Sequence, residues 1–120
     1  MGERSYPTGD RLYRRVHRKL INSAGGIRAG AFTDYQGGMS TDWDKHSTPQ
    51  ETRYREVGLS PDEFAVVSLP VAEMRDLGQI VEHDPLPENR AHTNVVGDKR
   101  TEVRLNLARM CQVVIAIKPD

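Results

Sequence analysis

Short apolar runs alternate with turn residues along this chain, and no long amphipathic repeat appears. Leu12-Tyr13-Arg14-Arg15-Val16 has strand-like alternation, with Leu12, Arg14 and Val16 on one face and Tyr13 and Arg15 on the other. Residues 22–30 are rich in glycine and serine and read as a loop. Ala31–Thr33 is expected to be a short strand, residues 34–38 a turn, and Met39–Trp43 a further strand. Thr48-Pro49-Gln50-Glu51 carries a helix-start signature, with a capping hydroxyl, a proline in the first turn and a glutamate at the third position. That helix should run to about Val57 and stop at Gly58.

Ser60–Glu63 repeats the start signature, but the apolar run Phe64–Leu69 that follows reads as a buried strand ending at Pro70. One helical turn followed by a strand satisfies both signals. Val71–Leu77 suits a short helix closed by Gly78, and Gln79–His83 a strand. Two close prolines make residues 84–89 a loop, because neither can donate to a ladder. Ala91–Val96 is a strand, and Asp98 is placed to cap a helix over about 99–111 with Val103, Leu107 and Met110 as its buried stripe. Val114 would continue that stripe, while Val113–Ile117 fits a last strand equally well. The expectation is a flexible terminus over 1–9 and one compact α+β domain over 10–120. It has a mainly antiparallel sheet with two helices, near 49–57 and 99–111.

Composition adds bounds. A chain of 120 residues with 37% hydrophobic and 28% charged residues is globular and suits one domain. The formal net charge is zero, which argues against a dedicated nucleic-acid binder. The charge is uneven, however: residues 1–28 hold seven Arg and Lys against Glu3 and Asp10. Either the two halves of the chain pair electrostatically or the early segment builds an anion site. A single cysteine, Cys111, forms no internal disulfide and fits a reducing compartment as a small core residue. With no apolar leader and no span of membrane length, a cytoplasmic location and no membrane partner are expected.

Most standard chemistries find no support. The four histidines show no metal-ligand spacing, so no metal is expected. There is no G-x-S-x-G elbow, no activated cysteine and no phosphate loop. A small RNase-like toxin using His83, His92 and Arg14, with the basic and aromatic segment near Tyr13 on RNA, is an alternative. The richest segment is Gln79–Gly97, where a proline-stiffened loop gathers His83, Asp84, Glu88, Asn89, Arg90 and His92. A non-catalytic module that contacts a protein partner through Asp84–His92 is a second alternative. Trp43, among charged neighbours, is expected to be partly exposed. Arg14 between Leu12 and Val16 must face a cleft or have a partner such as Glu82 or Asp84, because burying an unpaired guanidinium costs several kcal/mol.

Three motifs carry a resemblance: Leu12–Arg15 as L-Y-R-R, Met39–Asp42 as M-S-x-D, and Asp84–Gly97 as D-P-L-P-E-N-x-A-H-x-x-V-x-G. With these the chain resembles a group of small uncharacterised bacterial proteins over most of its length. The group often has a proline before Ala91, where this chain has Arg90, and the stretch after Val16 also departs from it. More distantly, the chain is similar to ADP-ribosyltransferase-like domains, including the RES-domain toxins that consume NAD. That similarity implies a domain that binds or processes a nucleotide such as NAD, in a bacterial conflict or toxin setting, with NAD as substrate and no resident cofactor. Arg14 would hold the pyrophosphate, Ser40 would orient the nicotinamide ribose, and a residue between Glu82 and His92, here taken as His92, would complete the catalytic set. Tyr13, His83, Asp84, Glu88 and Asn89 would line the substrate site.

Overall fold

The computed structural model describes residues 10–35, 37–55 and 60–118. Six strands form one sheet: β1 (Arg11–His17), β2 (Met39–Trp43), β3 (Phe64–Pro70), β4 (Ile80–His83), β5 (His92–Val96) and β6 (Gln112–Ile115). Three helices accompany them: α1 (Pro49–Tyr54), α2 (Val71–Asp76) and α3 (Thr101–Met110). The strand order is β4-β5-β2-β1-β3-β6, and every neighbouring pair is antiparallel. The fold is thus the α+β class that the run pattern implies. The expected flexible terminus over 1–9 lies outside the described residues.

Local chemistry accounts for most element ends. Thr48 caps α1 through its hydroxyl, which accepts from the Glu51 N–H at 3.1 Å, with Pro49 in the first turn. The expected extension to Val57 and the Gly58 stop fall among residues 56–59, outside the described residues. Gly78 takes a φ of +81° to end α2, a backbone conformation that a side chain would strain.

Successive side chains point to opposite faces of the sheet, and β3 is buried on both. Leu12 and Val16 of β1, Met39 and Trp43 of β2, Ala65, Val67 and Leu69 of β3, and Val95 of β5 all point to one buried face. Phe32, Met74 of α2 and Leu107 of α3 cover that face, which forms the core. Helix α1 packs on β1 and β3 from the other side, where Thr52 reaches Asp42.

Four expectations change. Ala29–Ala31 is a 3-10 turn, and Ala31–Thr33 forms no strand: the Ala31 and Thr33 carbonyls accept from Arg14 where a strand would have offered them to a ladder. Trp43 is 1% exposed, against the partial exposure expected of it. The period-2 rule places its charged neighbours Asp42 and Asp44 on the opposite face from the indole, and its Nε1–H donates to Asp10 Oδ2 at 2.7 Å. Helix α3 starts two residues late. Asp98 folds back onto the Arg100 N–H at 3.0 Å, and Arg100 takes the cap position without a side-chain cap bond. Finally, Val114 lies on strand β6 and is 41% exposed, so it does not extend the helical stripe.

Candidate functional site

The sheet splits beside Arg14. Strand β1 pairs with β3 over its full length, from Arg11↔Pro70 to His17↔Phe64. It pairs with β2 only at Leu12↔Trp43 and Tyr13↔Asp42. Strand β2 instead stays with β5, from Met39↔Val95 to Asp42↔His92. Beyond Tyr13 the two halves of the sheet therefore part, and an open cavity of about 480 Å³ occupies the gap. That volume falls within the range of small-molecule sites.

Arg14 lies at the bottom of the gap. Its position between Leu12 and Val16 aims it at the core face, where a charged side chain is out of place. Three backbone carbonyls receive it: Nε donates to Ala31 O at 2.8 Å, Nη1 to Ser40 O at 2.7 Å and Nη2 to Thr33 O at 3.4 Å. Among the described residues no carboxylate pairs with it, so neither Glu82 nor Asp84 is the partner that sequence reasoning offered. Burial and the neighbouring Arg15 charge lower its pKa to about 10, partly offset by Asp34. The guanidinium remains charged at neutral pH. An arginine carries five N–H donors, and three are used here, so two are left without a protein acceptor among the described residues.

The carbonyl cradle is itself anchored. Lys99, at the entry to α3, binds the Val95 and Gly97 carbonyls at 3.0 and 3.2 Å and Asp34 Oδ1 at 3.0 Å. This ties the segment that carries Ala31 and Thr33 to the end of β5.

One wall of the cleft comes from β2 and β5. Ser40 lies opposite Asn94 and Asp42 opposite His92, so these four polar side chains share one sheet face. Ser40 Oγ is 3.3 Å from His92 Nε2. His92 Nδ1 is 3.0 Å from the Asp84 carbonyl oxygen and 3.4 Å from its carboxylate. Only a protonated Nδ1 can donate to a carbonyl, so Nε2 of the neutral ring accepts and the Ser40 hydroxyl donates.

A second network fixes the rim. The buried Asp42 carboxylate accepts from Thr52 Oγ1 at 2.8 Å, Arg55 Nε at 3.0 Å and Asn89 Nδ2 at 2.8 Å. Asn89 also accepts the Ala91 N–H through Oδ1, and its backbone exchanges two hydrogen bonds with Leu86. The proline-stiffened loop is thereby bolted to β2 and α1, and Glu88 is presented at the cleft. Glu88 makes no hydrogen bond or ion pair among the described residues. Across the gap, Arg15 lies over the Phe64 ring at 5.7 Å. Tyr13 stands beside it, its pKa raised by burial and by Asp44.

Of the residues expected at a site, Arg14, Ser40, His92, Tyr13, Glu88 and Asn89 line this one cleft. Asp84 supports His92 from behind without lining it. His83 is elsewhere: it faces the core side opposite Thr93, stacks on His46 at 5.6 Å and meets the Trp43 ring edge-on. Sequence reasoning missed Asp42, Thr52, Arg55, Arg15 and Phe64. Asp42 had a signal in M-S-x-D, since Ser40 and Asp42 are two apart on a strand and share a face. Among the described residues no group of three or more His, Cys, Asp or Glu side chains could hold a metal ion. No helix of the described residues is long and apolar enough to cross a membrane. A scan of protein-family models finds no match to this chain, and neither do searches of curated proteins and of solved structures.

Proposed function

We propose that the cleft binds and processes a nucleotide of the NAD class, in the manner of an ADP-ribosyltransferase-like domain. One observation carries this reading: a half-buried, charged Arg14 whose hydrogen-bond partners among the described residues are neutral carbonyls, with two N–H donors left over beside an open cavity. A planar fork of that kind suits a pyrophosphate, which would engage it through paired hydrogen bonds. The other charges in the cleft agree. The cleft lining carries Arg14, Arg15 and Arg55 against Asp42 and Glu88, an excess of positive charge that favours an anion. The Arg15–Phe64 pair supplies a flat surface for a base. Ser40 would orient the ribose, and Glu88 is a free carboxylate placed to stabilise an oxocarbenium ion.

The cleft holds one histidine, His92, because His83 packs against Trp43 on the opposite face; a two-histidine RNA cleavage therefore has less to support it. The test is incubation of the purified protein with NAD, with nicotinamide release followed by chromatography and ADP-ribose affinity by calorimetry. Release by the wild type, lost in Glu88→Gln with ADP-ribose binding retained, is the expected result. Absence of both release and binding at millimolar ligand would overturn the reading and favour a protein-contact role for the Asp84–His92 loop.

A further inference from the structure

We infer that Ser40 is the nucleophile of this cleft, activated by His92 with Asp84 as the positioning residue, and that it accepts the ADP-ribosyl group itself. The inference rests on the nucleotide reading above.

The relay is built by strand register. Ser40 and His92 are diagonal neighbours across the β2–β5 ladder, two positions apart on the same face. The Asp84 N–H donates to the His92 carbonyl at 2.9 Å, while His92 Nδ1 returns to the Asp84 carbonyl at 3.0 Å. This reciprocal pair locks the imidazole plane. The Asp84 carboxylate, 3.4 Å from the same nitrogen, is held in turn by Asn94 Nδ2 at 3.2 Å. With Nδ1 committed as a donor, Nε2 has one role left, to take the Ser40 proton. A base within hydrogen-bond reach of a hydroxyl, and itself oriented by a third group, is the arrangement that activates a weak nucleophile.

The surroundings select the electrophile. A glycosidic carbon develops positive charge, and the cleft presents a carboxylate, Glu88, to meet it. Arg14 bonds the Ser40 carbonyl directly, so an anion held by its two remaining N–H donors lies next to the serine. A pyrophosphate-linked ribosyl pyridinium fits both demands. In the step, Ser40 Oγ forms a bond to the ribose C1′ as the C1′–nitrogen bond of the pyridinium breaks. The bonding pair leaves with nicotinamide, which departs neutral. The Ser40 proton passes to His92 Nε2 and then to solvent. The product is an O-glycosidic serine adduct.

The experiment is to incubate the full chain with NAD, follow nicotinamide release, and map the protein by intact mass and peptide sequencing. The expected result is one ADP-ribosyl group on the peptide containing Ser40. It should survive neutral hydroxylamine, which would cleave an ester on Glu88. Ser40→Ala should lose the adduct. His92→Ala should slow its formation about 100-fold or more, and added imidazole should restore part of it. Asp84→Asn should slow adduct formation less than His92→Ala and leave ADP-ribose affinity unchanged. Nicotinamide release with no adduct, or with an adduct on another residue, would overturn the inference and leave the nucleotide reading standing. No release, with ADP-ribose still bound, would overturn the inference alone, and loss of both release and binding would remove the nucleotide reading as well. Mapping of the wild-type protein decides the matter even if a variant fails to fold.

Discussion

Replacing Arg14 by methionine separates a structural arginine from a ligand-binding one. Methionine keeps the aliphatic stem and removes the fork. Two short hydrogen bonds, to Ala31 O at 2.8 Å and Ser40 O at 2.7 Å, disappear, with a third weak one to Thr33 O at 3.4 Å. Bonds from a charged donor contribute about 1.5–3 kcal/mol each, so the two short ones represent roughly 3–6 kcal/mol. Against this, burial and the neighbouring Arg15 charge, partly offset by Asp34, lower the guanidinium pKa to about 10, roughly 3 kcal/mol against the charged form. Methionine relieves that cost. The difference is a net loss of roughly 0–3 kcal/mol, small enough for the variant to stay folded. Ligand binding has no such offset: truncating one partner of a charged hydrogen-bonded contact costs about 2–5 kcal/mol, a drop in affinity of roughly 30- to 4,000-fold. Urea melts give the first quantity through the midpoint at constant slope, and calorimetric titration with ADP-ribose gives the second. A folded Arg14→Met protein that binds ADP-ribose as the wild type does would refute the argument. So would a stability loss well beyond 5 kcal/mol, which would make Arg14 a structural tie only.

Three further expectations follow from the same geometry. Asp42→Ala should cost about 3 kcal/mol, because Arg55 and Asn89 both lose their acceptor, and hydrogen exchange should show the 86–91 loop loosened; an unchanged urea midpoint would contradict this. Leu107→Ala, at a fully buried site on α3, should cost about 2–5 kcal/mol by the same melts. Burial raises the Cys111 thiol above its ordinary 9.0, so the folded state favours the neutral form; stability from this group is intact below pH 9 and falls as pH rises beyond it, and the thiol should react with a disulfide reagent faster in urea than in the native protein at pH 8.

The fold was largely legible because two kinds of signal agreed. Alternation marked β1, a continuous apolar run bounded by Pro70 marked β3, and Thr48-Pro49-x-Glu51 and Gly78 marked helix ends that the structure keeps. The errors arose where a signal was local and the outcome was tertiary. Asp98 has every property of a cap, yet its carboxylate finds the Arg100 side chain at 2.7 Å as well as the Arg100 N–H, and the helix starts after them. Trp43 sits among charges in sequence, but adjacent strand residues face opposite ways, so its neighbours said nothing about its own side.

The site was legible only where one residue contradicted its pattern. Arg14 violates the apolar face of β1, and that violation called for either a cleft or a partner. What could not be read is how the violation is resolved. An ion pair with Glu82 or Asp84 is the solution charge arithmetic suggests, but those acids lie on or next to β4 and β5, across the split from β1. The acceptors used are carbonyls, which every residue has, so no side-chain pattern could announce them. The absence of a G-x-S-x-G elbow argued against a serine hydrolase and said nothing about the contact of Ser40 with His92. An elbow builds the relay from a turn, whereas here Ser40 and His92 meet through the register of two strands whose residues are 52 apart in sequence. A register of that kind is set by the core: Met39 opposite Val95 buries both side chains, and a slip of one residue would turn Ser40 and His92 away from the cleft. The packing that stabilises the sheet and the Ser40–His92 contact are therefore one constraint, so a core substitution that shifts β2 against β5 should break that contact, and with it the proposed serine adduct, without touching either residue.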